Sequence, residues 1–190
     1  MNMNSNHLGT ISEVIRQQEK FWTLPSEYTL AQLLRYSLLL GFFPFAGYLV
    51  NYTIRGTIWN VWPFVQTTLD VGSGLMFAGM QWIFFGIFPI LSSTILDLLW
   101  SRRGRGPSFD EAVMICTYSL TPLCLSLLFV GVPYFDRPLS TLGFATFLFL
   151  LYYGLRFTLN FSIMRSVLVA LSYFILFALI RQMFVFAIGY

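Results

Sequence analysis

The chain has 190 residues, of which 57% are hydrophobic and only 10% are charged. Soluble domains carry about 25% charged residues, so this composition excludes an ordinary water-soluble fold. The net charge of +3 arises from basic residues that lie singly or in short clusters between apolar runs, and this pattern favours a membrane topology over nucleic-acid binding.

Residues 1–32 are predicted to form a cytoplasmic N-terminal segment with a short amphipathic helix. Its apolar side chains follow helical spacing, and charged side chains lie around the other side. The apolar positions are Ile11, Val14, Ile15, Phe21 and Trp22. We expect this helix to lie on the membrane surface as a passive anchor, with binding of a partner as the alternative. Thr29 and Gln32 form a predicted capping pair for the first span.

Residues 33–190 are predicted to form one all-α membrane domain, a polytopic transmembrane bundle of five helices. A bilayer core about 30 Å thick requires about 20 apolar residues in helical form, because a helix satisfies its own backbone polar groups in lipid. The predicted spans are Leu33–Ile54, Val71–Leu99, Phe109–Val132, Leu139–Leu155 and Ser162–Ile180. Arg165 and Arg181 flank the fifth and are expected to snorkel to opposite surfaces, with a buried functional arginine as the alternative.

The distribution of basic residues predicts the orientation. One set of alternate loops holds Arg16, Lys20, Arg35, Arg102, Arg103, Arg105, Arg156 and Arg165, and the other holds only Arg55, Arg137 and Arg181. Because positive loops stay in the cytoplasm, we expect the N-terminus there and, after five spans, the C-terminus on the opposite side.

Residues suited to catalysis within a membrane are missing from the predicted spans. The sole histidine, His7, lies in the polar N-terminal tail, and Ser73 between two glycines has no embedded base to activate it. The carboxylates Asp70, Asp97 and Asp136 fall at predicted span ends, which argues against a proton or ion pump. We therefore predict a non-enzymatic protein with no catalytic residue, no cofactor and no metal site.

Small residues and prolines are the candidate packing features. Gly74 and Ala78 lie four residues apart on one face of the second span, which we expect to be the central helix. Pro44, Pro89 and Pro122 lie inside predicted spans. Each proline frees the carbonyl four residues earlier, namely that of Leu40, Phe85 or Tyr118.

Hydroxyl groups cluster around Pro122, at Thr117, Ser119 and Thr121. These groups are suited to bonding the freed carbonyl or a helix across the bundle. We favour this structural interpretation. Broken helices also build transport sites, so a small transporter or channel subunit is the alternative.

The segment Asp110–Pro133 reads DEAVMICTYSLTPLCLSLLFVGVP and has Tyr118-Ser119-Leu120-Thr121-Pro122 at its centre. It resembles the middle of the Yip family, small five-span membrane proteins named for interaction with Ypt/Rab GTPases. Further points of resemblance are Trp22, Glu27, Pro44, Gly47 and the pair Tyr153-Gly154 at the end of the fourth span. The resemblance covers roughly residues 22–180 and implies a five-helix fold with no catalytic residues.

Eukaryotic members of this family typically have a longer cytoplasmic N-terminal region with an acidic motif containing tyrosine and glycine. That motif is absent from the short tail of this chain, which looks more like the compact bacterial branch. The resemblance therefore implies a location in the bacterial cytoplasmic (inner) membrane, and it argues against binding of Rab-type GTPases.

The predicted function follows from the small-residue faces and the missing catalytic groups. We expect a non-enzymatic Yip-type protein that acts by helix packing with membrane partners or in membrane organisation and trafficking. Its expected partners are membrane lipids and other membrane proteins or further copies of the chain, with no nucleic acid.

Overall fold

The computed structural model describes residues 29–55, 58–61, 65–68, 71–100, 108–130, 132 and 134–187. Five helices are present: α1 (Leu30–Arg55), α2 (Val71–Trp100), α3 (Phe109–Leu127), α4 (Asp136–Phe157) and α5 (Ile163–Ala187). Two short antiparallel strands, β1 (Ile58–Val61) and β2 (Val65–Thr68), form a hairpin between α1 and α2. The predicted all-α bundle of five helices is confirmed, and the hairpin was not predicted. The expected amphipathic N-terminal helix and Asp70 lie outside the described residues.

Two helices begin at reciprocal side-chain caps. The backbone N–H of Thr29 donates to Gln32 Oε1 at 2.9 Å, and the backbone N–H of Gln32 donates to Thr29 Oγ1 at 3.4 Å. The predicted capping pair is therefore confirmed. At α3, Ser108 Oγ accepts from the N–H of Glu111, whose carboxylate accepts from the N–H of Ser108 at 2.9 Å. Such caps satisfy backbone donors that the helix leaves unbonded.

Several predicted span ends need correction. Helix α3 ends at Leu127 rather than at Val132, where the sequence approaches Gly131 and Pro133. A residue that precedes proline avoids helical backbone angles, and glycine is common just after helix ends. The helix therefore stops before Gly131 and Pro133. Helix α4 begins at Asp136, three residues earlier than predicted, and α5 continues to Ala187, seven residues beyond the predicted end.

The helices alternate in direction. Ser37 near the start of α1 bonds the Gly86 carbonyl, whereas Tyr48 near the end of α1 packs on Phe77, so α1 and α2 are antiparallel. The same comparison places α2 antiparallel to α5, because Ser93 lies against Tyr173 and Phe84 against Phe177. We call the end of the bundle where α1, α3 and α5 finish the hairpin end.

Helix α3 runs parallel to α1. Tyr36 of α1 bonds Thr121, and Gly47, further along α1, lies against Leu127 at the end of α3. Its unbroken buried run extends from Ala112 to Thr121. The most enclosed helix is therefore α3, not the predicted α2.

Four of the five helices, α1, α2, α4 and α5, are long and apolar enough to cross a membrane. Helix α3, predicted as a span, is not among them. It has 19 residues, and Thr117, Ser119 and Thr121 are fully buried within it. Because these side chains face other helices and not lipid, α3 tolerates a more polar composition than its neighbours.

Aromatic side chains hold α2, α4 and α5 together. The ring of Phe177 on α5 lies 5.2 Å from each of Phe84 and Phe88 on α2, measured between centroids. On α4, Phe144 and Phe147 lie 5.8 and 6.1 Å from the same ring. Edge-on and tilted contacts between aromatic rings stabilise such packing through their geometry.

Candidate functional site

The motif residues of α3 meet α1 at a polar crossing. Tyr36 Oη and Thr121 Oγ1 are 3.0 Å apart, and the rings of Tyr36 and Tyr118 have centroids 5.2 Å apart. All three side chains are buried. The expectation that the hydroxyls near Pro122 bind a helix across the bundle is thus met by Thr121.

The neighbouring hydroxyls behave differently. Thr117 Oγ1 donates to the Val113 carbonyl at 2.7 Å, within its own helix. Ser119 Oγ is fully buried and has no hydrogen-bond partner among the described residues. The predicted cluster is therefore not one site. Thr117 and Thr121 share a face of α3 but bond different partners, and Ser119 lies on another face.

The prolines Pro44, Pro89 and Pro122 all lie inside helices, as predicted. Pro89 frees the Phe85 carbonyl, which accepts a hydrogen bond from Ser37 Oγ of α1 at 3.1 Å. The same hydroxyl lies 2.9 Å from the Gly86 carbonyl. Ser37 was not singled out from the sequence, where a lone serine in an apolar run gives no sign of its partner.

Glycines set the closest approaches between helices. A Cβ atom added at Gly47 would overlap the Leu127 carbonyl, and one at Gly143 would overlap Ser126. At Gly41 it would lie 2.7 Å from the Trp82 carbonyl oxygen. Gly47 belongs to the family resemblance, whereas Gly41 and Gly143 were missed.

The predicted small-residue positions Gly74, Ala78 and Gly154 are all buried. By contrast, a Cβ at Gly79 would meet nothing within 4 Å. The spacing of small residues along α2 therefore predicted buried positions, while the close approaches at Gly41, Gly47 and Gly143 lie on α1 and α4.

Arg181, one of the two arginines predicted to snorkel from the fifth span, is enclosed by the bundle. Its side chain is 8% exposed and its Nη2 donates to Tyr48 Oη on α1 at 2.8 Å. Arg165 is half-buried in the first turn of α5, with its guanidinium 4.0 Å from the centroid of the Phe161 ring. The buried-arginine alternative therefore applies to Arg181.

Further buried polar groups lie in the part of the bundle toward the hairpin end. Asn51 is one turn beyond Tyr48 on α1, and Gln81 is one turn from Phe85 on α2. Both side chains are 0% exposed, and neither amide has a hydrogen-bond partner among the described residues. Unpaired buried amides are costly, particularly in a membrane, so this region is the strongest candidate site.

The bundle has long apolar helices, polar side chains turned inward and large apolar side chains turned outward. These features define a polytopic α-helical integral membrane protein. The chain belongs to the family of the Yip1 domain, whose family model matches residues 13–182. The resemblance found in the sequence is thereby confirmed. Comparison with curated proteins and with solved structures found no significant match.

Proposed function

We propose that the protein is a non-enzymatic Yip-type membrane protein that acts by packing against other membrane proteins or by organising the bilayer around it. The observation that carries the proposal is the closed interior of the bundle. Backbones approach closely at Gly47 and Gly143, and side-chain hydrogen bonds join α1 to α2, α3 and α5. A rigid bundle of this kind presents its outer faces for interaction.

Helices α4 and α5 offer the largest free faces among the four candidate spans. In the most apolar 18-residue stretch of each helix, 33% of the residues of α4 and 28% of those of α5 are buried, against 44% in α1 and 50% in α2. Their outward side chains include Leu142, Met164 and Leu179. Lipid satisfies such a face as well as protein does, so the proposal covers both partner helices and ordered lipid.

The proposal includes five membrane crossings in a bacterial inner membrane, with the N-terminus in the cytoplasm. Helix α3 supports this topology because it runs parallel to α1 and therefore antiparallel to α2, and Cys116 in its middle contacts Ser92 within the apolar span of α2. Its 19 residues give a length of about 28 Å, close to the thickness of the bilayer core. The arginine distribution supports the orientation.

Purification in mild detergent, followed by native sizing and mass spectrometry, tests the proposed packing role. We expect a reproducible membrane-protein partner, a homo-oligomer, or a measurable effect of the reconstituted chain on lipid order. A monomer that copurifies with no membrane protein and leaves lipid order unchanged contradicts the proposal.

The alternative, a small transporter or channel subunit, is favoured by the buried polar groups Asn51, Gln81 and Arg181. The cavity at Arg181 has a volume of only ≈ 20 Å³, room for about one water molecule. Solute flux into reconstituted vesicles distinguishes the two functions. Flux above the level of empty vesicles that Thr121→Val or Arg181→Gln abolishes would establish transport instead.

A further inference from the structure

Arg181 is a buried cation whose hydrogen-bonding capacity is not filled. A guanidinium has five N–H donors and no acceptor. Within the described residues its hydrogen-bond partner is Tyr48 Oη, and its buried Nε has none. A tyrosine hydroxyl carries no charge to balance the guanidinium, and intramembrane arginines are costly unless they are paired.

Arg181 is one of the lining residues of a cavity among α2, α3, α4 and α5. The cavity is lined by Phe85, Leu123, Leu127, Ser140, Phe144, Phe177 and Arg181. Its volume of ≈ 20 Å³ accommodates about one oxygen atom. Ser140 and Phe144 are only partly buried, so the cavity lies next to the outer surface of the bundle.

The lining determines which chemistry fits. Apart from Arg181, the cavity has one polar residue, Ser140, whose hydroxyl already donates to the Arg137 carbonyl at 3.1 Å. The missing group is therefore an acceptor, and a negative charge on it compensates the buried guanidinium. Asp136 lies one turn before Ser140 on the same helix and has interactions of its own.

The depth of the site favours phosphate as the anion. Ser140 is four residues from the start of α4, about 6 Å along the helix axis, and Tyr48 is seven residues from the end of α1, about 10 Å. Helix α1 has 26 residues, about 39 Å, and exceeds the 30 Å core. The site therefore lies near the boundary of hydrocarbon and headgroups, where phosphate is the abundant anion.

We propose that Arg181 is the cation of a phosphate-binding site at the hairpin end, with one phosphate oxygen entering the cavity beside Ser140. The exposed Arg137, one turn from Ser140, adds positive charge near the opening. This inference goes beyond the proposed packing function and stands whether or not a protein partner exists.

The test measures binding to the full-length protein in detergent by thermal shift and native mass spectrometry. The probes are phosphatidylglycerol, inorganic phosphate, and chloride at matched ionic strength. We expect Arg181→Gln to weaken phosphate-group binding by about tenfold or more, since it removes a charge-assisted contact. The matched control, Arg165→Gln at the opposite end, should bind as the unmodified protein does.

A second variant, Ser140→Leu, fills the cavity and leaves Arg181 and Tyr48 intact, so it decides the matter if Arg181→Gln does not fold. It should weaken binding to a similar extent. Binding of the lipid alone identifies a headgroup site, and binding of both probes identifies a phosphate site open to water. Absence of binding to the unmodified protein, or undiminished binding by folded Arg181→Gln or by Ser140→Leu, overturns the proposal.

Discussion

Individual hydroxyl groups and glycines determine which helices are neighbours in this bundle. Tyr36 and Thr121 are 85 positions apart in the chain, and Tyr48 and Arg181 are 133 apart. In lipid, apolar burial does not by itself favour contact between helices, because lipid tails are equally apolar. Hydrogen bonds and close backbone packing therefore select the partners.

The hydrogen bond between Tyr36 and Thr121 should contribute measurably to stability. Thr121→Val removes one partner at nearly constant volume, and we expect a loss of about 0.6 kcal/mol, with an upper limit near 1.7. The measurement is reversible unfolding in mild detergent. Thr146→Val is the matched control, because Thr146 bonds the Leu142 carbonyl within its own helix. An equal loss in both variants would show that the contact between helices adds nothing.

The approach of α1 to α3 should be intolerant of a single methyl group. In Gly47→Ala the new Cβ meets the backbone of Leu127, which cannot rotate away, so we expect a loss of about 1–3 kcal/mol. Gly79→Ala has open space around the new methyl and should be neutral or slightly stabilising. Thermal unfolding of both variants checks this, and equal stability would contradict the packing of α1 on α3.

At the scale of the helix, a backbone carbonyl of α2 that lacks its donor within the helix accepts a hydrogen bond from a neighbouring helix. Pro89 has no N–H for the Phe85 carbonyl, and Ser37 of α1 donates to that oxygen. A second hydrogen bond joins the same two helices, because the indole N–H of Trp82 on α2 donates to the Leu38 carbonyl of α1 at 2.9 Å. Helices α1 and α2 are thus joined by two side-chain donors, Ser37 of α1 and Trp82 of α2, each of which bonds a backbone carbonyl of the other helix.

This arrangement predicts coupling between Ser37 and Pro89. Ser37→Ala should cost about 0.6 kcal/mol or more, because it leaves a buried carbonyl without its donor. In a Pro89→Ala background the restored N–H can bond Phe85, and the same substitution should cost less. A double-mutant cycle by unfolding in detergent measures the difference. A cycle that closes with zero coupling would refute the pairing.

At the scale of the whole molecule, the alternating helix directions place successive connections at opposite ends. The turn between α3 and α4 lies at the hairpin end, and the turn between α4 and α5 lies at the other. Tyr134, in the connection between α3 and α4, is 96% exposed. Asp110, at the start of α3, is exposed at the opposite end of the bundle. These two positions report whether α3 crosses the membrane.

Cysteine labelling in intact cells tests that topology. The native Cys116 and Cys124, both buried, are first replaced by alanine. A membrane-impermeant maleimide should label Tyr134→Cys and should reach Asp110→Cys only after permeabilisation, because the arginine distribution predicts that α3 begins in the cytoplasm. Ser162→Cys should behave as Asp110→Cys does. Labelling of positions 110 and 134 from the same side would rule out a crossing by α3.

Hydropathy predicted the five helices but placed their ends less well. The α1 start was recognisable because Thr29 and Gln32 form a local cap, which depends on four consecutive residues. The fifth span was predicted to end at Ile180, close to the end of the apolar span at Met183, while helix α5 itself continues to Ala187. Arginine beside the membrane and arginine buried against Tyr48 have the same sequence pattern, so only the partner distinguishes them.

The sequence by itself determined that the chain enters a membrane, that it forms five helices and that it belongs to the Yip family. These properties follow from composition and from patterns among residues close together in the sequence, which can be analysed without knowing the tertiary structure. The tertiary structure decided that α3 is the enclosed helix, that Ser37 completes the ladder of α2 and that Arg181 is buried. Each of these depends on residues distant in sequence, and in lipid no hydrophobic pattern marks which helix faces meet.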